Sequence, residues 1–296
     1  MPRTNKMIHV LEQDEIVIFT TTEELDYQSG FEMSRTWADV ILIDFEHDPF
    51  NTVGLKSFMK GISDGFNSND LEFMPSVITT LPSNCMTPDE VLYNSWQVRH
   101  VLGTGVHGVL HTHARTPEAV KAFVSTTRYP FNNLGLNEGL NEGLRGSGGQ
   151  DFASKIWQIT AEEYLSKADP WPLNPEGELI LGLKIEDKYC LESAPEITKI
   201  PGIAFAEWGP GDMGMSLGHP DAHDPPYPQD MNDARDKIAA ALKRKNIGFY
   251  ASWADENMTM EERVDYSIDV VGVKMMGATK EWAEYGRKKT GRTMPW

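Results

Sequence analysis

Asp44, Glu46 and His47 fall within four positions directly behind a Val-Ile-Leu-Ile run. Such a run is a buried strand, and charged groups at its end are not core residues. Asp44 and Glu46 share one strand parity and face one side. His47 opens the next loop, where an imidazole exchanges protons near neutral pH. A second group is Leu183-Lys184-Ile185-Glu186-Asp187. Lys184 and Glu186 again share a face, and ions sealed under helices without partners cost too much, which favours a wet site for both. In the turn Gly209-Pro210-Gly211-Asp212, Gly209 and Gly211 let a ligand approach the backbone, and the amides of the following helical stretch suit an anion. His111-Thr112-His113-Ala114-Arg115 ends another strand: His111 and His113 alternate on one face, fit to bind substrate or metal, and Arg115 suits a substrate carboxylate.

Glu186 and Asp212 end consecutive strands. Two carboxylates side by side repel each other unless a cation joins them. Oxygen ligands with open positions suit Mg²⁺ or Mn²⁺, with Co²⁺ or Zn²⁺ as further options. Such an ion polarises a carbonyl and stabilises an enolate. Lys184, if desolvated, is an alternative amine nucleophile.

These residues need a frame that brings several strand ends together. Short apolar runs at 16–20, 40–44, 76–80, 108–113, 179–185, 203–205, 247–251 and 269–273 predict eight strands. Helical periodicity between them, at 52–62, 89–102, 116–126 and 233–245, predicts crossover connections and a parallel sheet. Thr116 and Pro117 suit the start of the third helix. Eight buried parallel strands favour a (β/α)8 barrel, whose reactive groups sit at the C-terminal strand ends. The expectation is a single domain over 1–296, with long loops at 129–150, 169–177 and 219–229. Phe131, Phe152, Trp157 and Trp171 are candidates to line an apolar acceptor pocket, and the C-terminal Met275, Met276, Trp282, Tyr285 and Trp296 are candidates for subunit packing.

Charge narrows the partners. With 27 Lys+Arg against 44 Asp+Glu, the formal net charge is −17, which disfavours nucleic acid and anionic membrane surfaces and leaves a small-molecule substrate. Two cysteines, Cys85 and Cys190, make no disulfide framework and fit a cytoplasmic setting. No run reaches the roughly 18 apolar residues of a membrane span.

Taken in order, LIDFEH (42–47), VLGTGVHGVL (101–110), STTRYP (125–130), RGSG (145–148), LKIED (183–187) and GPGD (209–212) resemble the HpcH/HpaI aldolase family across roughly residues 16–285. The resemblance implies an α/β TIM barrel of the phosphoenolpyruvate/pyruvate-domain kind. It implies a metal-dependent class II aldolase that cleaves 4-hydroxy-2-oxo acids to a pyruvate-like enolate and an aldehyde, in catabolism. Homo-oligomers, commonly hexamers with an exchanged helix, are implied as well. By that resemblance Glu186 and Asp212 are metal ligands, His47 is the acid/base with Asp44 beside it, and the Gly211 and Asp212 amides hold the donor carboxylate. The chain also departs from the family pattern. Val77-Ile78-Thr79-Thr80-Leu81-Pro82 lacks the arginine after the third strand, Gly103 replaces an aspartate, Lys184 replaces a glutamine, and His111 and His113 replace apolar and Pro-containing sequence. Losing a buried charge-assisted hydrogen bond costs about 1.5–3 kcal/mol, so Arg115 or Lys184 is expected to supply the missing charge. The alternatives are a hydro-lyase or decarboxylase using the same metal enolate and, from another class, a non-catalytic binding barrel.

Overall fold

The β-branched runs pair as parallel strands in a computed structural model that describes residues 3–69, 71–251 and 255–295. The strands are β1 (Val17–Thr21), β2 (Val40–Ile43), β3 (Ser76–Thr79), β4 (Gly108–His111), β5 (Pro170–Trp171), β6 (Leu179–Lys184), β7 (Phe205–Trp208), β8 (Gly248–Ala251) and β9 (Met275–Gly277). Eight of them close a barrel in the order β1-β2-β3-β4-β6-β7-β8-β9, with β9 returning to β1. The two-residue β5 pairs with the start of β6. All of these pairings are parallel, which makes the architecture a (β/α)8 barrel.

The connecting helices are α1 (Lys6–Glu12), α2 (Tyr27–Met33), α3 (Thr52–Asn69), α4 (Pro88–Tyr93), α5 (Ser95–Leu102), α6 (Pro117–Thr127), α7 (Gln150–Trp157), α8 (Ala161–Lys167), α9 (Lys188–Ile197), α10 (Pro210–Leu217), α11 (Gln229–Lys243), α12 (Met260–Asp265) and α13 (Lys280–Thr290). Strand parity separates two apolar layers. Val17, Phe19, Val40, Ile78, Leu110, Ile180, Phe205, Tyr250 and Met275 point inward, where α1 joins them with Met7, Ile8 and Val10. Alternate residues such as Ile18, Ile41, Val77, Val109, Leu181 and Ala206 pack outward against the helices. Asn5 caps α1, its side chain accepting from the Met7 amide at 3.0 Å. The barrel is thus filled at its base, and its polar residues collect at the C-terminal strand ends.

Three elements differ from expectation. The strand expected at 203–205 runs on as Phe205–Trp208, which brings Glu207 inside the barrel. The strand expected at 269–273 is instead a π-helical turn, Tyr266–Val271, ended by Gly272 at φ 75°. Its β-branched residues mimic a strand, yet Val270 is 67% exposed, and the eighth barrel strand is β9. The helix expected at 89–102 is broken into α4 and α5 at Asn94. Met275 and Met276 are buried within this chain, Met275 among the inward residues and Met276 against the helices, so neither offers an exposed surface for subunit packing. Trp296 lies outside the described residues.

Candidate active site

The inward positions of β2, β6 and β7 gather charges at one rim. β6 registers Lys184 opposite Glu207 of β7. The Lys184 ammonium lies 2.5 Å from Glu46 Oε2 and 3.1 Å from Glu186 Oε2. Burial opposes the charge on Lys184, but Glu207, Glu186 and Glu46 outweigh it and raise its pKa above the ordinary lysine range. Three carboxylates around the ammonium favour its charged form, which speaks against Lys184 as an amine nucleophile. Glu207 itself is pushed up to about 7, first by burial and then by Glu46, Asp44 and Asp212, against the pull of Lys184.

Glu186 has 0% of its surface exposed, and neither carboxylate oxygen has a hydrogen-bond donor; the Lys184 contact is off line. Burial raises its pKa well above normal, with Glu207, Glu46 and Asp212 adding to the rise and Lys184 opposing it. Lys184 offsets only part of the cost of this buried carboxylate, and a further cation would complete it. One ligand atom from each of Glu46, His113, Glu186 and Asp212 lies within 4.8 Å of all the others. That donor set fits a divalent ion. Gly209 is needed for the approach: a Cβ there would sit 2.5 Å from Glu186 Oε2. Asp212 and the Gly211 backbone lie in the first turn of α10, which has no side-chain cap and so presents its amides openly. The imidazole of His223 borders Gly211 from the Pro-rich loop.

At the end of β2, His47 Nδ1 lies 2.7 Å from Asp44 Oδ2. Asp44 Oδ1 accepts from the Thr80 hydroxyl at 2.8 Å and from the Glu46 amide at 2.9 Å. The hydrogen bond to Asp44 raises the His47 pKa, against partial burial. Burial likewise opposes ionisation of Asp44, and the His47 and Thr80 hydrogen bonds overcome it and lower its pKa. The His47 side chain is 65% exposed, so Nε2 faces solvent at the mouth, the arrangement of an oriented acid/base.

Arg115 does not stand free as a clamp. Its Nε donates to Asp187 Oδ2 at 2.9 Å, and its guanidinium lies over Tyr189 at 4.8 Å. His113 reaches the same carboxylate at 3.1 Å. His111 is not brought to this site. It is 1% exposed, with its ring edge-on to Phe123 of α6 at 4.8 Å, so its substrate-binding role is corrected to a helix-layer contact. The shared face expected for His111 and His113 fails because His113 has φ 47°, which breaks strand parity. The aromatic pocket is corrected too. Trp157 stacks on His107 before β4, and Trp171 pairs with the start of β6, both at the opposite end of the barrel. Phe131 is exposed on Tyr129, and Phe152 meets Lys56. Glu46, expected on the face of Asp44, joins the site, and so do Glu207, Asp187 and Thr80, for which the sequence suggests no role. Parity with Asp44 pointed to Glu46, whereas Thr80 carried no signal.

The family model described as HpcH/HpaI aldolase/citrate lyase matches residues 89–273. That range is more than half of the chain, which therefore belongs to this family. The hydroxypyruvate/pyruvate aldolase of Deinococcus radiodurans is 29% identical over 122 residues, 41% of this chain and 38% of that protein. A 2-keto-3-deoxy-L-rhamnonate aldolase of Klebsiella pneumoniae subsp. pneumoniae is 30% identical over 125 residues, covering 42% and 40%. The matched stretches span about two fifths of these relatives. A crystal structure of an HpcH/HpaI aldolase/citrate lyase family protein from Burkholderia cenocepacia J2315 superposes with a TM-score of 0.71 over 97% of each chain, at 17% identity, and shares the fold. The family match includes His113, Lys184, Glu186 and Asp212, while Asp44 and His47 lie outside it.

Proposed function

We propose that this chain is a divalent-metal-dependent carbon–carbon lyase that breaks or makes aldol bonds of 2-oxo acids. The observation that carries this reading is Glu186, a wholly buried carboxylate with no hydrogen-bond donor, converging with Asp212 at the barrel mouth. The aldolase names of the relatives and the family match support it. When bound, a divalent cation polarises the 2-oxo carbonyl and offsets enolate charge. Glu186 and Asp212 hold that cation. His47 moves the proton at Nε2 while Asp44 fixes Nδ1 and the ring. The backbone of Gly209, Gly211 and Asp212 orients the donor carboxylate at the α10 N-terminus. Lys184, pinned between Glu46 and Glu186, offsets part of the carboxylate excess and borders the substrate. Arg115 is held by Asp187 at the rim and presents the rest of its guanidinium to an incoming anion. A catabolic role, a cytoplasmic setting and homo-oligomeric assembly belong to the same proposal. Among the described residues no helix is long and apolar enough to cross a membrane.

The test uses chelator-treated protein, a panel of 4-hydroxy-2-oxo acids, and proton exchange at the methyl group of pyruvate in D₂O. Aldehyde release and exchange are expected only after a divalent ion is restored. Glu186→Gln should lower both at least about tenfold, the least that even indirect changes around a metal produce. Turnover that ignores both the metal and Glu186 would sink the reading. Exchange without aldehyde from any oxo acid redirects it to hydration or decarboxylation.

A further inference from the structure

His113 is the residue that local geometry works hardest to place. A regular strand would send it to the same side as His111, against α6. Instead it adopts φ 47°, a left-handed conformation that is strained for a residue other than glycine. The flanking backbone holds it there: Cys85 N donates to Thr112 O at 2.7 Å, and Ala114 N to Lys184 O at 3.1 Å. Strain sustained in this way turns the imidazole from the helical layer into the mouth.

The ring is then oriented from behind. Nδ1 lies 3.1 Å from Asp187 Oδ2. Asp187 is itself fixed, accepting from the Tyr189 and Cys190 amides at 2.8 Å each and from Arg115 Nε at 2.9 Å. An ionised carboxylate only accepts, so Nδ1 donates to it, and in the neutral ring Nε2 is the nitrogen that holds the lone pair. That lone pair faces Glu186 Oε1 at 4.0 Å, and Glu186 is the fully buried carboxylate without a donor. Two acceptors set face to face, too far apart for a hydrogen bond, are placed as two ligands of one ion. Carboxylate behind, imidazole between and metal in front is the usual way a ligating histidine is held.

We infer that His113 Nε2 is a third metal ligand beside Glu186 and Asp212, and that the centre selects a first-row transition ion over Mg²⁺. The inference rests on the metal-dependent reading above and adds what the ion is. Glu46, although close enough to join, is already engaged by Lys184 at 2.5 Å. Three protein ligands leave positions for substrate and water. Imidazole favours Fe²⁺, Co²⁺ or Zn²⁺ and tolerates Mn²⁺, whereas Mg²⁺ prefers an all-oxygen shell. Asp187 and Arg115 thereby become positioning residues for the imidazole.

The test titrates Zn²⁺ and Mg²⁺ separately into the chelator-stripped full chain by calorimetry and records pulsed EPR of the Mn²⁺-loaded protein. Zn²⁺ is expected to bind at least about tenfold more tightly than Mg²⁺, and the Mn²⁺ spectrum to carry a ¹⁴N coupling. His113→Asn keeps a side chain that tolerates the left-handed backbone. It should abolish the coupling and weaken Zn²⁺ about 10–100-fold while changing Mg²⁺ much less. Asp187→Asn preserves the helix cap and should weaken Zn²⁺ over the same range. A wild-type Mn²⁺ spectrum without ¹⁴N coupling, or a coupling that survives in His113→Asn, overturns the assignment and leaves the two-carboxylate lyase standing. Should the variants fail to fold, the wild-type spectrum decides alone. A wild-type chain that takes up no divalent ion overturns both readings.

Discussion

At the scale of single residues, Lys184 is the hinge of the mouth. It is one buried cation among Glu46, Glu186 and Glu207, and its own titration is displaced upward by them. Removing one partner from a buried ionic cluster costs about 3–5 kcal/mol, because the remaining charges have lost their compensation. Lys184→Met is therefore expected to destabilise the metal-free protein by about that much, and a divalent cation should restore more stability to the variant than to the wild type. Urea unfolding with and without Mn²⁺ checks this, and equal midpoints for the two metal-free proteins would refute it. How far these residues were legible depends on which rule governs each. Parity alone put Lys184 on the side of Glu186, because β6 is a regular strand. Glu207 was hidden because the apolar run stops at Phe205 while the hydrogen-bond ladder continues to Trp208. The shared face of His111 and His113 fails for the opposite reason: one left-handed residue breaks the alternation, sending His113 to the mouth and leaving His111 under α6, and positive φ at a histidine leaves no mark in composition. Thr80 matters only because its hydroxyl meets Asp44 across two strands, a contact set by register.

At the scale of elements, the barrel's N-terminal end is tied by Asp39 at the foot of β2. Its carboxylate accepts from Ile18 N at 3.0 Å and pairs with Lys6 of α1 at 3.3 Å, Arg287 of α13 at 3.0 Å and Arg292 beyond it at 2.8 Å. Burial disfavours the charge, yet Lys6, Arg292 and Arg287 overcome it and hold the pKa at about 2. One wholly buried carboxylate thus docks the first and last helices on the same strand. A depressed carboxylate contributes stability that is complete above its unfolded pKa, about 3.9, and lost as pH falls through about 2. Asp39→Asn should cost about 3–5 kcal/mol at pH 7, because three cations lose their counter-charge, and the deficit should shrink toward pH 2. Hydrogen exchange across Lys280–Thr290 should speed up in the variant; unchanged protection there would show that α13 is docked by its apolar contacts instead. None of this was readable from the chain, since Lys6, Asp39 and Arg287 are far apart in sequence and isolated charges resemble surface. The strand order was legible because β-branched runs alternating with helical periods admit few topologies. The last strand was not, since 269–273 and 275–277 carry equally apolar residues and only Gly272 marks the break.

At the scale of the whole molecule, two effects of acidification oppose each other. At a net charge of −17 the surface repels itself, and lowering the pH toward the isoelectric point near 4.9 relieves that repulsion. Against this stand His107 and His111, sealed in the outer layer and each pushed down to about 3 by burial. Both are neutral in the folded protein and titrate near 6.5 once unfolded. Between about pH 6.5 and 3 the unfolded chain binds the extra protons, so stability is intact above that window and falls as the pH drops through it. Each histidine contributes a slope of about 1 kcal/mol per pH unit. Surface repulsion is screened by salt, whereas the buried histidines are not. Glu207 and Glu186, raised in the folded protein, take up protons in the same window and offset part of the histidine loss, so the histidines are read from a variant rather than from the net trend. His111→Leu separates the two effects, because it removes a buried ring nitrogen with no partner and its titration together. Its stability relative to the wild type should rise by about 1 kcal/mol for each pH unit below 6.5, and urea unfolding at pH 7, 6 and 5 measures this directly. A difference that stays constant across that range would mean that His111 takes up its proton in the folded protein, and the helical layer would then have to admit water beside Phe123.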